Sequence, residues 1–303
     1  MSGPKRVGRA GGKMLNQMTI DRVEELRQAG LAKLRAEEYE DAISIYDEAL
    51  LLVDDDEKRE LLTINKADAM IALNQNGPEV QQLPAILMRR RNPHHAFLAA
   101  YALMFKHRMK AETKRGIFYG ELALDIATEA NEPFWKLSAL NDLGIHYEMD
   151  SQFDKAIDAF EQALEASDPD DAFVRSAITG NLGYNKILTG KVEEGIFLIH
   201  SILDQIDGHA TRAELCIDLC FGYLDLNDLE HAKKYGDMGL ELASDNRQVR
   251  NAHYLLGEVA YKLGDIEQAE EHFEQLARFY PQFRNLKSLL FAIDLRGMVN
   301  LKL

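Results

Sequence analysis

The fold is decided by one stretch near the middle of the chain, which reads Leu140-Asn-Asp-Leu-Gly-Ile-His-Tyr147 and, after a polar turn, Phe153-Asp-Lys-Ala-Ile-Asp-Ala-Phe160-Glu-Gln-Ala-Leu164. Apolar residues recur in both halves with the period of an α-helix, and strand alternation is absent. The small residues Gly144 and Ala156 stand twelve positions apart. Small residues let two helices approach closely, and Phe160 fills the gap between neighbours. The stretch therefore predicts a helix, a turn and a second helix.

The same pattern recurs along the chain. Copies of the first small residue follow at steps of 39, 37 and 37 residues, in Leu143-Gly144, Leu182-Gly183, Leu219-Cys220 and Leu256-Gly257. Earlier copies place Gly30, Asp68 and Met104 at the same position. A fixed period of this length is typical of helical repeats. We predict seven units, near residues 23–56, 61–92, 97–130, 137–170, 176–209, 213–246 and 250–283.

These residues resemble the tetratricopeptide repeat family, most clearly in the quoted unit, in Ala29-Gly30 with Tyr39 to Leu50, and in Leu255 to Pro281. Two departures stand out, because the units are longer than usual and the only tryptophan, Trp135, is not at the family's helix-opening place. The resemblance implies an all-α, right-handed superhelical solenoid over residues 19–284, whose first helices line a concave groove. We expect a capping helix at 285–303 and a flexible, basic, glycine-rich tail at 1–18.

Composition excludes several classes of protein. The 303 residues are 46% hydrophobic, which rules out disorder throughout, and 35 basic against 50 acidic residues give a net charge of -15. Such a charge repels nucleic acid and anionic membranes, and so disfavours binding to either. No apolar stretch approaches the ~18 residues of a membrane span. Cys216 and Cys220 stand four positions apart in a predicted helix, which holds them in poor geometry for a disulfide, so we interpret them as buried apolar residues. Free thiols fit a reducing compartment, and we predict a cytoplasmic protein.

No stretch carries the residues of a known catalytic site. The segment Gly8-Arg-Ala-Gly-Gly-Lys13 resembles a phosphate loop but ends in Met14 and follows no strand. The nine histidines are dispersed, and the adjacent pair His94 and His95 faces different ways on a helix. We therefore expect no enzyme activity, no metal site and no cofactor.

One side of the first helices is predicted to line the groove. The residue after each first small residue lies on that side, and six of the seven are apolar: Leu31, Ala69, Phe105, Ile145, Tyr184, Phe221 and Glu258. Tyr101 and Tyr254 extend this row. An apolar row facing a groove would form the floor for a bound peptide or helix. In the alternative interpretation, neighbouring first helices pack side by side and bury the row themselves.

Two asparagines stand beside that row. Asn141 and Asn181 offer both a donor and an acceptor to a peptide backbone. The family resemblance implies that they bind the main chain of a ligand, whereas a cap or an interhelix bond is the other interpretation. The family's carboxylate clamp is not reproduced, although Arg108 is present among the predicted groove residues.

Charge is unevenly distributed. Residues 1–115 hold 19 basic and 17 acidic side chains, net +2, whereas residues 116–303 hold 16 and 33, net -17. A basic patch is predicted from Arg89, Arg90, Arg91, Lys106, Lys110, Lys114 and Arg115. It would serve an acidic partner or RNA, or it would be solubilising charge at helix ends.

The sequence thus predicts a non-enzymatic interaction module that binds a peptide or helix of another protein in its groove. A peptide-sensing regulatory receptor that acts through a partner subunit is the first alternative. An RNA-binding helical repeat is the second, and the net charge disfavours it.

Overall fold

The computed structural model describes residues 9–279, with side chains from residue 20 onward. Over this range the chain forms fourteen helices and no strand: α1 Arg9–Arg35, α2 Tyr39–Leu52, α3 Asp56–Ala72, α4 Pro78–Arg89, α5 Pro93–Met109, α6 Thr113–Glu129, α7 Pro133–Met149, α8 Phe153–Ala166, α9 Ala172–Leu188, α10 Val192–Leu203, α11 His209–Asp225, α12 Leu229–Leu242, α13 Asn246–Leu263 and α14 Ile266–Phe279. The predicted capping helix at 285–303 lies outside the described residues.

The helices form seven consecutive pairs, so the prediction of an all-α helical repeat fold is confirmed. The chain divides into two compact units, of which the first ends at Ala139 and the second begins at Leu140, within α7. Helix α1 begins at Arg9, inside the segment that composition predicted as a flexible tail. Residues 13–18, Lys-Met-Leu-Asn-Gln-Met, are mostly good helix formers that extend α1 toward its N-terminus.

The turn inside each pair has one repeated geometry. Seven residues, one in each turn, have positive φ between 52° and 82°: Glu37, Asn74, Ala111, Ser151, Gly190, Asn227 and Gly264. The next residue donates its N–H back to a carbonyl of the first helix, as Gln152 does to Tyr147 O at 2.8 Å. This left-handed cap satisfies helix carbonyls that would otherwise lack a donor. It also turns the chain sharply, so that the second helix packs against the first.

Side-chain caps begin several of the first helices. The carboxylates of Asp55, Asp171 and Asp245 accept a backbone N–H three residues ahead, at 2.8 to 3.0 Å. Asn92 caps α5 in the same way through His94 N at 2.9 Å, just before Pro93. Each cap satisfies a donor that the first turn of a helix leaves open.

The predicted close approach of helices within a pair is confirmed. A Cβ built on Gly144 would lie 2.7 Å from the ring of Phe160, and one built on Gly30 would lie 2.5 Å from the ring of Tyr46. Both rings are completely buried. Each aromatic ring of the second helix therefore occupies the space that the missing side chain leaves in the first helix.

Each unit has its own apolar core. In the first unit one core cluster is built around Leu83, Phe97 and Leu103. One cluster of the second unit takes residues from each helix from α9 to α13 and includes Ile199 on α10 and Leu219 on α11. Among the residues that the structure describes, no helix combines the length and the apolar character needed to cross a membrane.

Asp68 stands in α3 where the other units have a small or apolar residue, and it contributes a pH dependence. Burial raises the pKa of its carboxyl from 3.8 to about 6. The folded state therefore holds a proton more tightly than the unfolded state, and the free energy of unfolding falls as pH rises from about 4 through 6. We expect Asp68→Asn to raise that free energy by roughly 1–2 kcal/mol at pH 8 and to leave it unchanged at pH 4.

Urea denaturation at both pH values measures this difference. Asp47→Asn is the matched control, because Asp47 is exposed and accepts from Lys66 Nζ at 2.7 Å. It should give no gain at pH 8. Equal gains at pH 4 and pH 8 for Asp68→Asn would show that ionisation of the carboxyl does not destabilise the folded protein.

Candidate functional site

In the second unit, polar contacts join neighbouring first helices. Helix α13 contacts α11 through Gln248, which donates its amide to Ala210 O at 2.8 Å. Arg247 and Glu214 form an ion pair between the same helices at 3.2 Å. We call the surface that α9, α11, α13 and residues 140–149 of α7 present on this side the first-helix face of the second unit.

Two amides on this face have an acceptor without a donor. Asn185 on α9 donates its Nδ2 to Glu148 Oε2 at 2.7 Å and to Asn181 O at 2.9 Å. Its Oδ1 is buried and has no hydrogen-bond partner, and the same holds for the Oδ1 of Asn141 on α7. A buried acceptor without a donor costs about 1–3 kcal/mol. Both oxygens are enclosed by the protein, so a ligand on this face meets the exposed part of Asn141 and not these two oxygens.

Tyr184 and Phe221, predicted as groove floor, instead belong to the core of the second unit. Tyr184 is completely buried, Phe221 is 5% exposed, and their ring centroids lie 6.3 Å apart. Both rings are members of the apolar cluster that α9, α11 and α13 share. The reason is the side-by-side packing of neighbouring first helices, which buries the row between them.

The other predicted residues of this face remain accessible. Ile145 on α7, Asn181 on α9 and Tyr254 on α13 are all partly exposed, and so is Asn141. The accessible part of the face is therefore more polar than the sequence predicted. It presents two asparagines, one isoleucine and one tyrosine where a continuous apolar floor was expected.

In the first unit, helix α5 carries a stack of rings that includes a predicted groove residue. Trp135 from α7 stacks on His94 at 5.2 Å and on Phe97 at 5.0 Å, and Phe97 stacks on Tyr101 at 5.7 Å, measured between ring centroids. His94, Phe97 and Tyr101 lie on one side of α5 by helical geometry. Phe97 is buried, whereas Trp135 and Tyr101 are partly exposed.

Two more predicted residues continue this side of α5 toward its C-terminus. Phe105 is partly exposed, and the guanidinium of Arg108 lies 4.9 Å from the centroid of its ring. A cation over an aromatic face at this distance is attracted to it. Tyr101, Phe105 and Arg108 are thus all partly exposed on α5, and their role in ligand binding stays a prediction.

The predicted basic patch is divided between the two ends of α5. Arg89, Arg90 and Arg91 precede the helix, whereas Lys106, Lys110, Lys114 and Arg115 lie at its far end. Seventeen residues separate these ends, a helix length of about 25 Å. Neighbouring side chains also partner some of the charges: Arg90 pairs with Glu129 at 3.3 Å, Arg115 pairs with Glu112 at 3.1 Å, and Lys106 donates to Asn76 Oδ1 at 3.1 Å. The seven residues therefore do not form one surface.

Sequence reasoning missed three residues that shape these surfaces: Trp135, His94 and Asn185. Trp135 does not stand at the family's tryptophan place, but it lies two residues after Pro133, in the first turn of α7. Asn185 directly follows Tyr184, so a polar residue next to the apolar row was the available signal.

Comparisons with known proteins agree with this architecture. Tetratricopeptide repeat models match residues 28–60 and 250–283. No curated protein sequence matches the chain significantly. Among solved structures, the apo form of the quorum sensor NprR from B. thuringiensis has a TM-score of 0.71 at 18% identity and covers 93% of this chain and 84% of its own.

Two further structures are similar at low identity. The apo form of RapI has a TM-score of 0.68 at 14% identity, covering 92% of this chain and 84% of that chain. NprR in complex with its cognate peptide NprX has a TM-score of 0.64 at 18% identity, covering 88% and 82%. At such identities these structures support the fold, and the matched repeats at both ends of the chain support the family. The chain thus carries two segments that match tetratricopeptide repeat models, within an all-α helical repeat fold.

Proposed function

We propose that the chain is a non-enzymatic interaction module that binds a peptide or helix of a partner protein on its first-helix face. The observation that carries this proposal is the pair of partly exposed amides of Asn141 on α7 and Asn181 on α9, which lie on consecutive first helices of this face. A peptide backbone supplies N–H donors at regular intervals along an extended chain. Each of these two amides offers a donor and an acceptor to such a backbone.

Similar proteins support a peptide as the ligand. The solved structures of similar fold include NprR with its cognate peptide NprX and a Rap protein with competence and sporulation factor. Repeats of this family generally serve as binding modules, and no catalytic step is proposed for this chain. A cytoplasmic location, which the sequence predicts, fits such a role.

The test begins with selection of a binder from a random peptide display library on the full chain. The dissociation constant of the selected peptide is then measured by fluorescence anisotropy. We expect the double variant Asn141→Ala plus Asn181→Ala to bind that peptide roughly tenfold more weakly, because two hydrogen bonds contribute about 0.5–1.5 kcal/mol each. Asn185 is left unchanged, since it also holds Glu148.

Gln162→Ala is the matched control, because Gln162 is an exposed amide on the second helix α8 whose Nε2 donates to Asp158 at 2.9 Å. It should leave the affinity unchanged. Equal affinity of the double variant and the parent would overturn the proposed face. Failure to select any peptide, together with RNA binding that falls steeply with salt, would favour the RNA-binding alternative.

A peptide-sensing regulatory receptor is the second candidate, and the likeness to the quorum sensor NprR favours it. It differs from a passive scaffold in one measurable respect, since a sensor must change its affinity for a partner subunit when peptide binds. Measuring capture of such a subunit with and without saturating peptide separates the two candidates.

A further inference from the structure

Two histidines from different helices meet in the last described pair. His253 on α13 and His272 on α14 place their Nδ1 atoms 3.0 Å apart, with ring centroids at 5.3 Å and the ring planes at 48°. Both residues are partly exposed. They are nineteen positions apart in sequence, and the antiparallel packing of the two helices brings them together.

At 3.0 Å the two Nδ1 atoms share a hydrogen bond, and a metal ion bound to both would take its place, with each neutral ring carrying its proton on Nε2. The distance between the nitrogens also bears on the coordination geometry. Metal–imidazole bonds are about 2.0–2.1 Å long, so a metal ion bound to both nitrogens would have an N–metal–N angle of about 95°. Tetrahedral coordination at the same bond length would need nitrogens about 3.3 Å apart. An angle near a right angle is that of adjacent positions in the square-planar or octahedral coordination that Cu²⁺ and Ni²⁺ prefer.

We propose that His253 and His272 form a two-histidine site for a divalent transition metal ion, Cu²⁺ or Ni²⁺, which links α13 to α14. Neutral imidazole is the form that binds a metal. Burial favours that form here, because it lowers the pKa of both rings, that of His253 to about 4. Among the described residues, no third His, Cys, Asp or Glu completes a metal-binding group, so water fills the remaining positions.

Charges around the pair are nearly balanced. The negative charges of Asp237 and Glu271 favour a cation at His272, whereas the positive charge of Lys233 disfavours one. Arg278 acts against a cation at His253. Because two negative and two positive groups nearly cancel, the affinity for a metal ion depends mainly on coordination by the two imidazole rings.

Isothermal titration calorimetry of the full chain with CuCl₂ and with NiCl₂ at pH 7.5 tests the site. We expect one ion per chain, and continuous-wave electron paramagnetic resonance of the Cu²⁺ complex should show coupling to two imidazole nitrogens. His253→Gln and His272→Gln should each weaken binding roughly tenfold or more. Ni²⁺ should also raise the thermal midpoint of the parent protein and leave that of both variants unchanged.

His231→Gln is the control, because His231 is an exposed histidine on α12 whose Nδ1 lies 2.8 Å from Asp228 Oδ2. It should bind both ions as the parent does. If His253→Gln and His272→Gln, shown to be folded by circular dichroism, keep the parent's affinity and stoichiometry, the binding is adventitious and the proposal is overturned. The result is independent of the peptide site, since His253 and His272 have no part in it.

Discussion

Tyr184→Ala is expected to lower the free energy of unfolding by about 3–5 kcal/mol, as truncation of other large buried aromatic residues does. The side chain is completely buried in the core of the second unit, next to Phe221. Truncation removes its apolar contacts and leaves a cavity between α9 and α11. Urea denaturation followed by circular dichroism measures the loss, and the midpoint should fall without a change in slope.

Tyr254→Ala is the matched control for this change. Tyr254 is a tyrosine of the same layer of helices, on α13, but it is partly exposed. Its truncation should cost roughly 1 kcal/mol, in keeping with a partly exposed position. Equal midpoints for Tyr184→Ala and the parent protein would mean that the ring lies on a surface, and Tyr184 would then return as a candidate for ligand contact.

The contrast between Tyr184 and Ile145 shows where sequence reasoning about the groove reaches its limit. Both residues follow the first small residue of their unit, yet one is buried and the other partly exposed. Periodicity identifies the side of a helix on which a residue lies. It does not reveal how closely the next helix of the repeat packs against that side, because that distance depends on contacts between residues nearly forty positions apart.

The helix pairs themselves were predictable, because their determinants are local. Gly30 and Gly144 admit Tyr46 and Phe160, and each glycine and its ring are sixteen positions apart in sequence. Such a fixed spacing recurs whenever the unit recurs, so a search for self-similarity finds it. The packing inside a pair is therefore written into each unit separately.

The position of each turn was harder to predict than the helices, because the residue with positive φ is not always glycine. Gly190 and Gly264 have the positive φ that glycine adopts at little cost. Ser151, Ala111 and Glu37 adopt the same conformation without being glycine. In these units the packing of the two helices fixes the turn, so the residue at the turn gives no signal of its own.

Gly195→Ala is expected to destabilise the protein by about 3 kcal/mol, at the upper end of the usual cost of overpacking. A Cβ on Gly195 would lie 2.4 Å from the carbonyl oxygen of Gly183 and 3.1 Å from the backbone nitrogen of Ile187. Backbone atoms cannot rotate aside as a side chain can, so α10 must move away from α9. That cost exceeds the advantage of about 1 kcal/mol that alanine has over glycine inside a helix.

Gly208→Ser separates this clash from a general effect of replacing glycine. Gly208 precedes α11 with φ of -73°, and the nearest atom to a Cβ there is Thr211 Oγ1 at 3.7 Å. Serine is a good residue to begin a helix, so this variant should be as stable as the parent or up to about 0.5 kcal/mol more stable. Urea midpoints of both variants decide the matter. If Gly195→Ala unfolds at or above the parent's midpoint, the backbones of α9 and α10 are not in contact, and small residues are not what sets the spacing within this pair.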